Sequence, residues 1–365
     1  MTATLARSLG PYLTSLLVML TLPGASWAHH AVAGSYDQSQ TIELEGQVTE
    51  VLWRNPHVQL SMRVIDQTGI ADTWELATTS LSNMRRWQIA PDFIEVGDTI
   101  RVAGNPAVRG RHGLYVRNVL TSDGEEVLLA PGLERRWSDR VIEMAESRKR
   151  GLGDPSQPEL GIFRVWSTPD NIPVLIPRGF GRMPEHRSNL TPGAQRAVDA
   201  FVWERDNPLT ACRPKGMPTI MEAPYPFEFV SDGTSILWHN EEFDTVRTIH
   251  LSADGATPDG SNGEAVAQSP SLLGFSVGRW EDERTLVVTT TQMGWGHFDG
   301  QGVPLSASAV AVERFALSPQ GDRLDYRITV TDPQTFLEPV ALEKYWVWYP
   351  DAVVGTYACS TAAED

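Results

Sequence analysis

Short runs of alternating apolar and polar residues recur along this sequence, and they restrict its fold more than any other feature. The run from Ile42 to Thr49 carries an apolar residue or glycine at every second position. A two-residue period is typical of a strand with one buried face, whereas apolar positions in a helix repeat every three or four residues. The chain is therefore predicted to be mainly β.

In the first third of the chain these runs predict five short strands. Their ranges are 42–53, 58–64, 73–77, 98–104 and 114–120. Leu81 to Ile89 has helical spacing and ends before Pro91, so a helix is expected after the third strand. Five strands with this helix favour a small OB-like barrel.

From Tyr225 onward, about eight further strands are predicted at regular spacing. Their ranges are 227–230, 235–239, 246–251, 276–281, 285–291, 309–317, 323–331 and 344–349. Many are separated by turn residues such as Asp232-Gly233 and Asp299-Gly300. This pattern favours an antiparallel barrel or sandwich. A barrel of this size can hold one small ligand unless side chains fill its interior.

The predicted domains are a leader at 1–28, an OB-like domain at 29–132, a linker with helices at 133–211, and a barrel domain at 212–365. Clustered charges predict a solvated helix over Glu134 to Lys149. Gly and Pro then indicate an extended segment. Thr191 and Pro192 are the N-cap and first residue expected of a further helix.

The leader has one charge, Arg7, followed by an apolar run and small residues before a cut after Ala28, which is typical of a secretory signal peptide. A periplasmic or secreted protein is therefore expected; the alternative is an uncleaved anchor. No later segment is apolar enough to span a membrane. The net charge is −16, and removing Arg7 with the leader leaves −17. Such an acidic surface disfavours binding to nucleic acid.

The only two cysteines, Cys212 and Cys359, are predicted to form a disulfide because an exported chain meets an oxidising compartment. The alternative is two buried free thiols.

A cut after Ala28 would place His29 at the mature N-terminus, followed by His30. The terminal amine and two imidazoles form a nitrogen-rich set of the kind that Cu(II) binds best among first-row divalent ions. His57, on a turn after the first strand, could add a third imidazole, and His112 is a looser candidate. The alternative is a terminus with two solvated histidines.

Aromatic residues and one arginine are the candidate ligand contacts in the second barrel. They are Trp238, Arg247, Trp280, Trp295 and Tyr326. This aromatic content suits an apolar pocket and equally suits a filled core. If the barrel is an enzyme, His239 and Asp299 are the candidate acid and base. Alternation places Trp238 and His239 on opposite faces, so only one of them can point inward.

Two stretches resemble known families. His29-His30, Asn55-Pro56-His57, Trp74-Glu75 and Arg85-Arg86 resemble an exported bacterial domain family of unknown function, over about residues 29 to 130. Between Cys212 and Cys359, motifs such as Pro224-Tyr225-Pro226-Phe227-Glu228 and Ser276-Val277-Gly278-Arg279-Trp280-Glu281 resemble an uncharacterised lipocalin-like barrel family. That family usually has a His before Ser306, where this chain has Leu305. Neither resemblance implies an established activity.

These observations favour a periplasmic protein that binds a small apolar or amphipathic molecule and can bind copper at its mature N-terminus. The alternative is a cofactor-free enzyme, such as a hydratase, isomerase or hydrolase, acting on a small hydrophobic substrate. A third reading is an envelope interaction protein in which side chains fill both barrels.

Overall fold

The computed structural model describes residues 36–66, 68–91, 93–108, 112–130, 132–142, 160–169, 175–208, 212–252, 269–350, 352–357 and 359. These residues are mainly β and form two closed barrels. The leader, His29 and His30 lie outside the described residues. No helix in the described part of the chain is long and apolar enough to cross a membrane.

The first barrel has five strands, as predicted. They are β1 (Ile42–Leu52), β2 (Gln59–Ile65), β3 (Ala71–Ala77), β4 (Thr99–Pro106) and β5 (Gly113–Leu120). Neighbouring strands are antiparallel except β3 and β5, whose parallel pairing closes the barrel. The expected helix, α1 (Leu81–Arg86), follows β3, and its N-cap Ser80 accepts a hydrogen bond from the Asn83 amide.

The second barrel has nine strands. They are β8 (Val165–Ser167), β9 (Phe227–Ser231), β10 (Ser235–Asn240), β11 (Thr245–Leu251), β12 (Phe275–Asp282), β13 (Thr285–Thr291), β14 (Val310–Leu317), β15 (Arg323–Thr331) and β16 (Val340–Trp348). The expectation of a wholly antiparallel barrel is wrong at one pair, because β11 and β12 run parallel. Parallel neighbours need a connection of a dozen or more residues, and the chain from 252 to 274 is long enough.

The predicted linker contributes a strand to each sheet. The short strand β6 (Glu126–Leu128), still within the predicted OB-like domain, and β7 (Val141–Ile142), from the linker, extend the first sheet. From the same linker, β8 pairs with both β9 and β16 and so closes the second barrel.

The helix expected over Glu134 to Lys149 is absent from its described part, residues 134–142, which includes β7. The buried Glu126 carboxylate accepts hydrogen bonds from the backbone N–H groups of Arg136, Trp137 and Ser138. These bonds hold the segment in a loop against the first barrel. A helix over this segment would lose these hydrogen bonds, and its solvated charged side chains would not compensate for that loss.

Short helical segments lie between β8 and β11, among them 3-10 turns at Phe180–Arg182 and Glu242–Asp244. Also among them are α2 (Pro184–Arg187), α3 (Pro192–Ala200), α4 (Trp203–Asp206) and a 3-10 turn at Thr219–Glu222. The Thr191 hydroxyl caps α3 by accepting from the Ala194 amide, as predicted. The turn at Thr219–Glu222 is mostly buried and packs within the core of the second barrel.

The predicted disulfide joins Cys212 and Cys359. It closes a loop of 147 residues, for which loop entropy gives at most about 5 kcal/mol of stabilisation. Cys359 also forms a β-bridge with Asn55 of the first barrel. The bond therefore holds Cys359 at a position where it contacts both barrels.

Candidate functional site

A cluster of aromatic rings occupies much of the interior of the nine-stranded barrel. Its members are almost completely buried: Phe227, Phe229, Trp238, Phe315, Tyr326 and Trp346. Contacting ring centroids are 4.8 to 6.3 Å apart, and all of these pairs are tilted or edge-to-face except Phe315 and Trp346, which are stacked. This part of the interior is therefore a packed core.

A buried ion pair lies next to these rings. Arg247 forms a two-pronged pair with Glu313, one bond of which measures 3.0 Å. The Arg247 guanidinium also donates to the hydroxyls of Ser276 and Thr290, while Glu313 accepts from the Tyr326 hydroxyl at 2.9 Å. Four guanidinium–acceptor bonds use most of the hydrogen-bonding capacity of Arg247.

The strongest candidate site is a group of four residues, here called the lysine cluster: Lys215, Glu222, Lys344 and Trp346. Lys344 is on β16 and points inward with Trp346, two residues further along the strand. Its Nζ lies 4.8 Å from the Trp346 ring centroid and donates to the Met221 carbonyl at 3.3 Å. The two lysines and Glu222 remain half-buried, so the cluster keeps contact with solvent.

The charges in the lysine cluster perturb one another. Burial lowers the pKa of the Lys344 amine to about 8; nearby Glu222 opposes this shift, and the Lys215 charge adds to it. Burial also raises the pKa of Glu222, and both lysines counteract that rise. Lys215 is itself paired with Glu242, with its Nζ 2.6 Å from Oε1. Perturbed pKa values cluster at functional sites, which makes this group of residues a candidate site.

Two buried indole N–H groups in the same interior have no hydrogen-bond partner among the described residues. They belong to Trp238 and Trp346, each 1% exposed. Buried tryptophan N–H groups usually find an acceptor. An acceptor oxygen on water or on a bound molecule would satisfy them.

The structure does not bring the two candidate catalytic residues together. His239 lies on the outer face of β10, with Nδ1 3.3 Å from Glu228 Oε1 and about a third of each side chain exposed. Asp299 is buried in the connection that joins β13 to β14, where it accepts two backbone hydrogen bonds at 2.9 Å. Burial raises its pKa, and its Oδ2 atom lacks a partner among the described residues. Asp299 also acts electrostatically on Glu222 of the lysine cluster.

The candidate ligand contacts likewise lie in different parts of the second barrel domain. Trp238, Arg247 and Tyr326 share the barrel interior, whereas Trp280 is 38% exposed on β12. Trp295 is half-buried and donates to the hydroxyl of Thr219, at the start of a 3-10 turn, at 3.0 Å. Their roles in ligand binding stay predictions.

Sequence reasoning missed the lysine cluster, although a signal was present. The chain has only three lysines, Lys149, Lys215 and Lys344, among 30 basic residues. The fold brings two of the three into one partly buried site.

Among the candidate copper ligands, His57 and His112 are described. His57 Nδ1 lies 2.8 Å from the Thr78 carbonyl oxygen. His112 stacks on Trp74 with centroids 5.0 Å apart. No group of three or more His, Cys, Asp or Glu side chains able to hold a metal occurs within the described residues.

The fold and these contacts define a two-barrel β protein with a partly buried lysine cluster. Residues 17–115 match the model of a family of unknown function, DUF6152. This agrees with the expected lack of an established function for the first domain. The lipocalin-like resemblance of the second domain stays a prediction. No curated protein matches the chain.

Two solved structures resemble part of the chain. The N-terminal domain of the PriB protein from Thermoanaerobacter tencongensis is 15% identical, with a TM-score of 0.19 and coverage of 23% of this chain and 97% of that one. The mitochondrial single-stranded DNA binding protein Rim1 from S. cerevisiae is 10% identical, with a TM-score of 0.18 and coverage of 22% and 89%. Scores this low support no conclusion about function.

Proposed function

We propose that the nine-stranded barrel binds a small amphipathic molecule at the lysine cluster. The observation that carries this proposal is a set of hydrogen-bond donors that lie among aromatic residues and have weak acceptors or none. The Lys344 amine has one weak carbonyl partner, and the Trp238 and Trp346 N–H groups have none among the described residues. A ligand with an acceptor oxygen at one end would satisfy such donors, and an apolar body would suit the aromatic residues around them.

The rival enzyme function has less support. It would need acid and base groups around one substrate, yet His239 is on the outer face and Asp299 is buried in a connection. The expected export through a cleaved signal peptide is part of the proposal, which places ligand binding in the periplasm or outside the cell.

Binding can be tested with 8-anilinonaphthalene-1-sulfonate, a fluorescent amphipathic probe with acceptor oxygens. We expect saturable binding to the wild-type protein and about tenfold weaker binding to Lys344→Met, which corresponds to ~1.4 kcal/mol. Lys149→Met is the control, because it removes a lysine that is not one of the four residues of the lysine cluster. Equal affinity in all three proteins would contradict the proposal. Native mass spectrometry of the purified protein would also detect a co-purified ligand.

We also propose that the mature N-terminus binds Cu(II) together with His57. The supporting observation is the bond from His57 to the Thr78 carbonyl. A carbonyl can only accept, so Nδ1 carries the proton and Nε2 keeps its lone pair, as in histidines that ligate metals. Burial lowers the pKa of His57, which favours the neutral ring that metal binding requires.

The first described residue lies near His57. The Tyr36 ring is 5.6 Å from that of Tyr115, which is 6.0 Å from the His57 ring. The seven residues from His29 to 35 could span up to about 23 Å if extended, which is sufficient to reach His57.

Copper titration of the mature protein, followed by electron paramagnetic resonance, tests this second proposal. One Cu(II) per chain is expected, with binding weakened below about pH 6 as the imidazoles become protonated. His57→Ala, His29→Ala and acetylation of the terminal amine should each weaken binding, whereas His112→Ala should not. Unchanged stoichiometry and affinity in the first three would place the metal elsewhere.

A further inference from the structure

Lys344 combines the two conditions that turn a lysine into a nucleophile. It is partly desolvated inside the barrel, and a second cation, Lys215, acts on it. Desolvation and a neighbouring cation both favour the neutral amine, whose lone pair can attack a carbonyl carbon. An ordinary exposed lysine is almost wholly protonated at pH 7.

We propose that Lys344 binds aldehydes or ketones covalently, as a Schiff base, within the amphipathic ligand site proposed above. The inference rests on that ligand site and narrows its ligand to carbonyl compounds. Its geometric basis is an inward-pointing amine held between the Trp346 ring and the Met221 carbonyl, with a carboxyl group as neighbour.

The groups needed for the reaction are present in the lysine cluster. The neutral Nζ forms a bond to the carbonyl carbon, and the carbonyl π electrons move to oxygen, which takes up the proton that the now positively charged Nζ releases. The resulting carbinolamine loses that oxygen as water after a second protonation. Glu222, a charged neighbour of Lys344 whose pKa is raised by burial, is the candidate donor of this proton. The product is a protonated imine beside the Glu222 carboxylate.

The surroundings favour an apolar body on the carbonyl compound. The Trp346 face lies directly against Nζ, and the Phe227 ring lies 4.8 Å from that of Trp346. An aromatic or branched aldehyde would therefore be bound better than a short polar one.

Borohydride trapping tests this inference, with benzaldehyde as the probe. The full chain is incubated with benzaldehyde and borohydride, and the modified residue is identified by peptide mass spectrometry. We expect one benzyl group per chain at Lys344, none there in Lys344→Met, and unchanged modification of Lys344 in Lys149→Met. Because there are only three lysines, each amine can be followed separately from the terminal α-amine.

The pH dependence provides a readout that does not require a variant at Lys344. Trapping should rise with pH to half its maximum near pH 8, where the Lys344 amine loses its proton. In Lys215→Met the midpoint should move upward, because removing the neighbouring positive charge stabilises protonated Lys344. Equal modification of all three lysines, or a midpoint near that of an ordinary lysine at about 10.4, would overturn the inference.

The two proposals can fail separately. Binding of the sulfonate probe without trapping at Lys344 would leave the ligand site intact and refute the Schiff base. Loss of both would refute the ligand site. Near-UV circular dichroism of Lys344→Met, compared with the wild type, shows whether that variant is folded.

Discussion

Replacing Glu313 with Ala is expected to destabilise the nine-stranded barrel by about 3–5 kcal/mol. The Arg247 guanidinium would remain in the barrel interior, where only 2% of its side chain is exposed, without its counter-charge. The Tyr326 hydroxyl would lose its acceptor as well. Urea unfolding followed by tryptophan fluorescence measures the change.

Two controls separate the buried charge from the loss of a side chain. Glu343→Ala removes a carboxylate whose pair with Arg327 is mostly exposed, so it should cost less than about 1 kcal/mol. The double variant Arg247→Met/Glu313→Leu removes both charges and should recover much of the lost stability. If the double variant were as unstable as Glu313→Ala, the isolated charge could not be the cause.

Arg86→Met is expected to cost about 2–3 kcal/mol and to uncouple the unfolding of the two barrels. Arg86 is in α1 of the first barrel, and its NH1 atom donates to the Ser167 hydroxyl at 2.9 Å and to the Thr168 carbonyl at 3.1 Å. Both acceptors belong to the segment that closes the second barrel. Methionine keeps most of the side-chain volume but cannot donate these bonds.

Differential scanning calorimetry would show this uncoupling as two transitions in place of one. Arg85→Met is the matched control. Arg85 precedes Arg86 in the same helix, but its side chain is exposed, and it donates to the Thr356 carbonyl at 3.1 Å. A single, unshifted transition in Arg86→Met would show that these contacts do not couple the barrels.

Residues that support a family resemblance in the first domain therefore include groups that hold the structure together. Asn55 is completely buried and exchanges hydrogen bonds with Ser82, while Arg86 reaches the second barrel. These motif positions need no ligand to account for them. The lysine cluster is in the other domain and belongs to neither of the quoted motifs.

Local patterns were sufficient to predict most of the strands. Alternation in segments such as Ile42 to Thr49 depends only on having one buried face, so one sequence reveals it. The disulfide followed from the cysteine count and the expected export. The five strands and helix of the first barrel were also predicted correctly.

Non-local pairing could not be predicted in the same way. β8 has three residues, too few to show a period, and its place is set by contacts with β9 and β16. The parallel pairing of β11 and β12 depends on the path of a long connection. Lys215 and Lys344 are far apart in sequence, and only the closed barrel brings them into one electrostatic environment.

The linker limits where the chain can be cut without opening one of the two barrels. Since β7 extends the first sheet and β8 completes the second barrel, cutting the chain at 211 would leave β9 and β16 as open edges. Unpaired edges of this kind recruit strands from other molecules. A fragment meant to keep the second barrel closed must therefore begin before β8.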